Sequence, residues 1–194
     1  FNNAYKFAPA MFDIWMRLLK AVPGSVLWLA DPGETATRNL IREALARGVE
    51  AERILYAPFV TEGAMHLARL GAADLFLDTL PYNAHTTAHD ALLAGVPLVT
   101  ALGQTFPGRV AASLLHAAGL PELVAASLEE YEALALKLAH EPALLASFKQ
   151  KLSAARDTAP LFDTARFTKN LEAAFAHMHA RAVRGLPPES FSAR

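Results

Sequence analysis

The stretch Asp74-Leu-Phe-Leu-Asp78-Thr-Leu-Pro81-Tyr-Asn-Ala-His85-Thr-Thr-Ala-His-Asp90-Ala-Leu-Leu-Ala-Gly95-Val96 decides how the chain is read. It reads as a buried strand, a polar turn and a helix opening on Thr86 and Thr87. A helix that starts at the carboxyl end of a parallel strand presents free N–H groups and the positive end of its dipole. Such a terminus binds anions, phosphate most often. The rest of the sequence reads as the sheet that carries this turn.

Working outward, apolar runs alternate with amphipathic segments. Residues 9–21 place Met11, Ile14, Trp15, Leu18 and Leu19 at helical spacing behind Pro9. Ser25–Ala30 is a continuous apolar strand. A helix over 34–47 stops at Gly48, and a strand follows over Arg53–Ala57. A short helix over 62–71 leads into the strand Asp74–Asp78. Beyond the central stretch come a strand at Leu98–Ala101, a helix over 108–118, a short strand at Leu123–Ala126 and a helix capped by Ser127. Further helices run from Pro142 to about Arg156 and over 163–184. Strands and helices in alternation, joined by short loops, give an α/β fold: a Rossmann-like parallel sheet with helices on both faces. The helix over 9–21 has no strand before it. The pattern therefore predicts a lead strand ahead of Phe1, in a longer protein.

Composition narrows the class. Of 194 residues, 53% are hydrophobic and 19% charged, so the chain forms a core. Lys and Arg number 18 against 19 Asp and Glu, which gives no electrostatic case for nucleic acid or a membrane surface as partner. Cysteine is absent, which excludes disulfides, thiolate metal sites and a Cys nucleophile, and fits a cytoplasmic protein. No apolar run reaches membrane-spanning length.

The hexapeptide His85-Thr86-Thr87-Ala88-His89-Asp90 has two readings. With Thr87 as N-cap, Asp90 falls where a capping-box variant would close the helix end. Alternatively Thr86 and Thr87 bind phosphate, and Asp90, one turn inside, accepts from sugar hydroxyls at the ligand edge of the sheet. Lys6, beside Asn3, is either a solvated surface charge or a phosphate ligand lining the same crevice. His66 and Arg69 share a helix face, as an exposed polar surface or as a stacking platform for a base. Asp78 is a turn holder at a strand end. His177 and His179 diverge on their helix, and no Asp-x-Asp unit, P-loop or Gly-x-Gly-x-x-Gly run is present.

Several segments, in this order, resemble the catalytic region of the O-linked N-acetylglucosamine transferases. They are Phe1–Pro9, Pro23–Leu29, Asp78–Thr87, Ala94–Thr100 and Arg109–Ser113. The resemblance runs to about residue 184 and is to the C-terminal Rossmann half of a two-Rossmann (GT-B) region in a bacterial member. It implies an inverting glycosyltransferase that uses no metal and no cofactor. The donor would be UDP-N-acetylglucosamine, and the acceptors Ser and Thr hydroxyls of proteins. It implies that Lys6 contacts the diphosphate as the catalytic residue, with Asn3 beside it where animal members carry Gln. His85, Thr86 and Thr87 would bind the diphosphate and Asp90 the ribose. His66 would stack on uracil, with Arg69, Val60 and Thr61 nearby, while Tyr82 and Asn83 line the sugar-phosphate turn. The loop over 58–63 has no basic residue, and Tyr82 stands where a smaller residue is expected. Residues 1–160 would form the nucleotide-sugar domain. Residues 161–186 would form a helix packing back on an N-terminal Rossmann half preceded by tetratricopeptide repeats, and residues 187–194 a frayed tail. The catalytic base would lie in that other half, so this chain alone would hold the donor without transferring it. Two other readings stay open: a GT-B transferase with another nucleotide sugar or acceptor, and a non-catalytic nucleotide-binding scaffold.

Overall fold

The computed structural model describes residues 2–192. Its elements alternate as the sequence pattern requires. Helix α1 (Pro9–Ala21) leads to strand β1 (Leu27–Ala30), α2 (Glu34–Ala46) to β2 (Ile54–Ala57), and α3 (Gly63–Leu70) to β3 (Phe76–Leu77). Helix α4 (Thr86–Leu93) precedes β4 (Leu98–Ala101), and α5 (Val110–Ala117) precedes β5 (Val124–Ala125). Three helices close the chain: α6 (Leu128–His140), α7 (Pro142–Ala155) and α8 (Thr164–Val183).

Every strand pairing is parallel. The expected α/β class is borne out, but the sheet is in two parts. Leu27 to Ala30 pair with Ile54 to Ala57 in one part, and the other has the order β3-β4-β5. Among the described residues no ladder joins β1 to β3. Between these two edges lies a cavity of about 740 Å³, lined by Trp15, Leu19, Leu27, Leu29, Phe76 and Leu77 among others.

Strand β4 is the centre of the larger part. Leu98, Val99, Thr100 and Ala101 are all buried, with α6 on one side and α4 and α5 packed nearby. A strand covered on both faces reads as an unbroken apolar run, and this one has the bounds the sequence implies. The other strands are shorter than their apolar runs. A 3-10 turn at Pro121–Leu123 takes the first residue of the expected fifth strand. Helix α1 buries Met11, Phe12, Ile14, Trp15, Met16, Leu18 and Leu19, more than one stripe. Ser127 caps α6 as expected: its hydroxyl accepts from the Glu130 N–H, and the Glu130 carboxylate reaches back to the Ala126 N–H.

A polar chain crosses this core. Trp15 Nε1 donates to the Tyr131 hydroxyl at 3.2 Å, and that hydroxyl donates to the Asp78 carbonyl at 3.0 Å. Tyr131 is fully buried on α6. It therefore ties α1 and α6 to the end of β3 at the point where the chain enters the turn.

Helix α8 begins on an Asp163 cap, whose side chain accepts from the Arg166 N–H, and buries none of its residues. Phe167, Leu171, Phe175 and Met178 stand exposed along it. The tail differs from the expected frayed end. Arg181 pairs with Glu189 and donates to the Pro187 carbonyl, and Phe191 lies against His177 at 4.3 Å between ring centroids. Residues 187–191 thus fold back on α8. The remainder of the tail, residues 193–194, lies outside the described residues.

Replacing Tyr131 by Phe removes one hydroxyl and leaves two buried partners unsatisfied, the Trp15 N–H and the Asp78 carbonyl. The expected loss is about 1–3 kcal/mol of stability, read by urea unfolding. A loss within error of zero contradicts the bridging role.

Candidate functional site

The turn between β3 and α4 is built from inside. Asp78 is 1% exposed and carries the turn at its base. Its backbone N–H still pairs with the Val99 carbonyl at 3.0 Å, so the residue belongs to the sheet by its main chain. Its side chain turns away: Oδ1 accepts from the Ala84 N–H and Oδ2 from the Thr100 hydroxyl, both at 2.6 Å. Thr79 adds a second layer. Its hydroxyl accepts from Asn2 Nδ2 at 3.0 Å and donates to the Tyr82 carbonyl at 2.7 Å. Asn83 Nδ2 donates to the Thr79 carbonyl at 2.8 Å.

The loop after β4 closes the other side. The Asn83 N–H donates to the Pro107 carbonyl at 2.9 Å, and His85 Nε2 lies 3.3 Å from the same oxygen. The backbones meet closely there. A Cβ on Gly108 would stand 2.8 Å from the Pro81 carbonyl oxygen, closer than such contacts occur, so only glycine fits.

On the outer face, Lys6 Nζ donates to the Asn83 carbonyl at 2.8 Å and sits 4.1 Å from the centroid of the Tyr82 ring. Tyr82 in turn lies 6.2 Å from Tyr5 and 5.1 Å from His85 between ring centroids. Asn3 is exposed beside Lys6, and its carbonyl accepts the Lys6 N–H at 3.0 Å. The structure thus brings Asn3, Lys6, Tyr82 and His85 to one edge. Asn83 is different: its side chain is wholly buried and braces the turn, rather than facing outward as a lining residue would.

Helix α4 starts at Thr86, and His85 is its N-cap, with no side-chain cap bond. Its backbone ladder includes His89 N–H to the His85 carbonyl at 3.1 Å. The N–H groups of Thr86, Thr87 and Ala88 precede that bond and belong to the set a helix leaves without intrahelical partners. The capping-box reading fails here, because Thr87 lies within the helix. Asp90 does not reach back to the helix end. Its Oδ2 is 3.6 Å from His66 Nε2 and its Oδ1 3.7 Å from His89 Nδ1. His66 Nδ1 also lies 3.1 Å from Arg69 Nη2, and Arg69 donates to the Pro58 carbonyl. His66, Arg69 and Asp90 therefore form a second cluster, from α3 and α4, beside the loop that carries half-buried Val60 and exposed Thr61.

An open helix N-terminus, an ammonium group and a polar histidine cluster make a site for an elongated anion with a planar or hydroxylated end. Sequence reasoning missed Asn2, Thr79, Thr100, Gly108 and Tyr131. A lone hydroxyl in the otherwise apolar β4 was the visible signal for Thr100.

A family model for glycosyl transferase family 41 matches residues 1–171. The chain belongs to that family. The resemblance read from the sequence is borne out by the relatives. The probable UDP-N-acetylglucosamine-peptide N-acetylglucosaminyltransferase SEC of Arabidopsis thaliana is 38% identical over 192 residues, covering 98% of this chain and 20% of the relative. The UDP-N-acetylglucosamine-peptide N-acetylglucosaminyltransferase of Caenorhabditis elegans is 35% identical over 187 residues, 96% of this chain and 16% of the relative. Among solved structures, a lysine-to-methionine mutant of the O-GlcNAc transferase of Thermobaculum terrenum superposes with a TM-score of 0.86 at 35% identity. That match covers 92% of this chain and 35% of the other. The chain thus spans about a fifth or less of these two curated relatives. In this family 41 chain, no helix among the described residues is long and apolar enough to cross a membrane.

Burial pushes the Asp78 carboxyl up from its ordinary 3.8 to about 7, against the hydrogen bonds from Ala84 and Thr100 and the charge of Lys6. A carboxyl raised in this way holds its proton longer in the folded chain than in the unfolded one. Between about pH 4 and pH 7 the folded chain carries the extra proton, so unfolding free energy falls as pH rises through that window and levels off above it. Asparagine at this position has no such titration. The stability advantage of the wild type over Asp78→Asn, from urea unfolding, is therefore expected to be larger at about pH 5 than at about pH 8. A gap that stays constant or widens contradicts the assignment.

Proposed function

We propose that this chain is the donor-binding part of a glycosyltransferase that moves N-acetylglucosamine from UDP-N-acetylglucosamine to Ser or Thr hydroxyls of proteins. The observation that carries this reading is the convergence of Lys6, the 81–85 turn and the open N-terminus of α4 on one edge. Lys6 and the N–H groups of Thr86 and Thr87 hold the diphosphate, with the hydroxyls of both threonines and the His85 ring beside them. Asp90 takes the ribose and His66 the uracil, with Arg69, Val60 and Thr61 at the base end and Asn3 near the phosphates. Tyr82 walls the sugar end.

The chemistry follows from charge. As the glycosidic bond breaks, negative charge grows on the distal phosphate of the leaving nucleoside diphosphate. The Lys6 ammonium, the α4 N–H groups and the helix dipole are donors already in place for that charge. One preorganised donor of this kind is worth about 10²–10³ in rate. In this reading the transfer inverts the anomeric centre and draws its electrophilic help from these groups rather than from a metal. The protein is cytoplasmic.

The acceptor side and the catalytic base belong to an N-terminal Rossmann half, with tetratricopeptide repeats before it. One feature supports this: the exposed Phe167, Leu171, Phe175 and Met178 of α8 give that half a surface to cover. One observation favours a second reading, a different transferred sugar. Tyr82 fills the sugar end with a ring held against Lys6 and His85.

Titrating the chain with UDP tests the donor site. Lys6→Ala is expected to weaken binding by about 10–100-fold, the scale of a hydrogen bond to a charged group. Thr87→Val is expected to weaken it about threefold to tenfold. Absence of UDP affinity, or no loss in either variant, refutes the donor-site reading. Transfer of a sugar other than N-acetylglucosamine by the full-length protein favours the Tyr82 alternative.

A further inference from the structure

We infer that Asp78 is a positioning residue for the transfer: by holding the Ala84 main chain it sets the direction of the N–H groups that meet the diphosphate. This rests on the donor-site reading above and goes beyond it, since Asp78 touches no part of the proposed ligand path.

Three observations carry it. First, Asp78 Oδ1 bonds the Ala84 N–H across the whole turn, at 2.6 Å, and Ala84 is itself fully buried. The next residue is the N-cap of α4, so any swing of the Ala84 peptide re-aims the donors that follow. Second, Asp78 is fixed from three sides. Its N–H is bonded to Val99, its carbonyl receives Tyr131, and its Oδ2 receives Thr100. Third, the Ala84 N–H and the Thr100 hydroxyl, from two different elements, converge on this one side chain, and Lys6 acts on it only through its charge. Lys6 is turned to the Asn83 carbonyl and the Tyr82 ring instead.

The choice of side chain follows from these facts. Ala84 and Thr100 both donate, so both partner atoms must accept. A carboxylate offers two acceptor oxygens; an amide offers one, and would set its NH₂ against a hydroxyl donor. An unpaired carboxylate is costly to bury. A turn needing stability alone has cheaper solutions, whereas one needing its donors fixed to a fraction of an ångström gains from two short bonds to one buried, fixed side chain.

The test measures UDP and UMP affinities by calorimetry for the wild type, Asp78→Ala, Asp78→Asn and Thr100→Val. A misaimed turn loses the diphosphate increment, so Asp78→Ala should weaken UDP by about tenfold or more and UMP much less. Asp78→Asn keeps one acceptor for Ala84 and should restore most of the UDP-to-UMP ratio. Where Asp78→Ala fails to fold, Thr100→Val decides: UDP affinity should fall about threefold with UMP unchanged. An unaltered ratio in the folded variants, or parallel loss of UDP and UMP without rescue by Asn, overturns the inference. A wild type that binds no UDP overturns the donor-site reading and this inference with it. A wild type that binds UDP, with a ratio insensitive to these substitutions, overturns this inference alone.

Discussion

The carboxylate of Asp78, buried and bonded to the Ala84 N–H and the Thr100 hydroxyl, is the constraint on which the functional edge depends. It joins the end of β3, the middle of β4 and the last residue before the N-cap of α4. Tyr131 and Trp15 extend the tie to α6 and α1. Asn2 and Thr79 carry it to the segment that bears Lys6. Each of these bonds lies in the interior, where an unsatisfied partner is expensive, so the network is held as a whole. The helix start and the lysine are thereby presented on a rigid base.

Away from this edge the chain leaves apolar surface without a neighbour. The β1–β2 and β3–β4–β5 ladders leave an apolar gap between their facing edges, and α8 exposes two Phe side chains, a Leu and a Met. Both features place unsatisfied apolar surface on this chain. The two curated relatives named above are several times longer than the chain.

Much of the fold was legible because local rules decided it. Pro9–Ala21 and Leu98–Ala101 follow from one helical period and one apolar run, and the Ser127 cap follows from its neighbours. The helix opening on Thr86 was legible too, but Thr87 followed by Asp90 mimics a capping box that does not form: His85 occupies the cap and Asp90 faces two histidines. Asp78 was visible as a turn holder, yet its partners were not. Thr100 lies 22 residues away, and Tyr131, which meets its carbonyl, lies 53 away. Pairings at that range leave no period in the sequence. Nor does the inward rotation of Asn83, which depends on Thr79 and on the Pro107 loop.

The most direct measurement follows the backbone amides of the chain by two-dimensional NMR as UDP-N-acetylglucosamine is added. The largest shifts are expected on His85, Thr86, Thr87 and Lys6, with smaller ones at His66 and Asp90. Largest shifts along α8 or around the cavity between β1 and β3, with the turn unmoved, would contradict the donor-site reading.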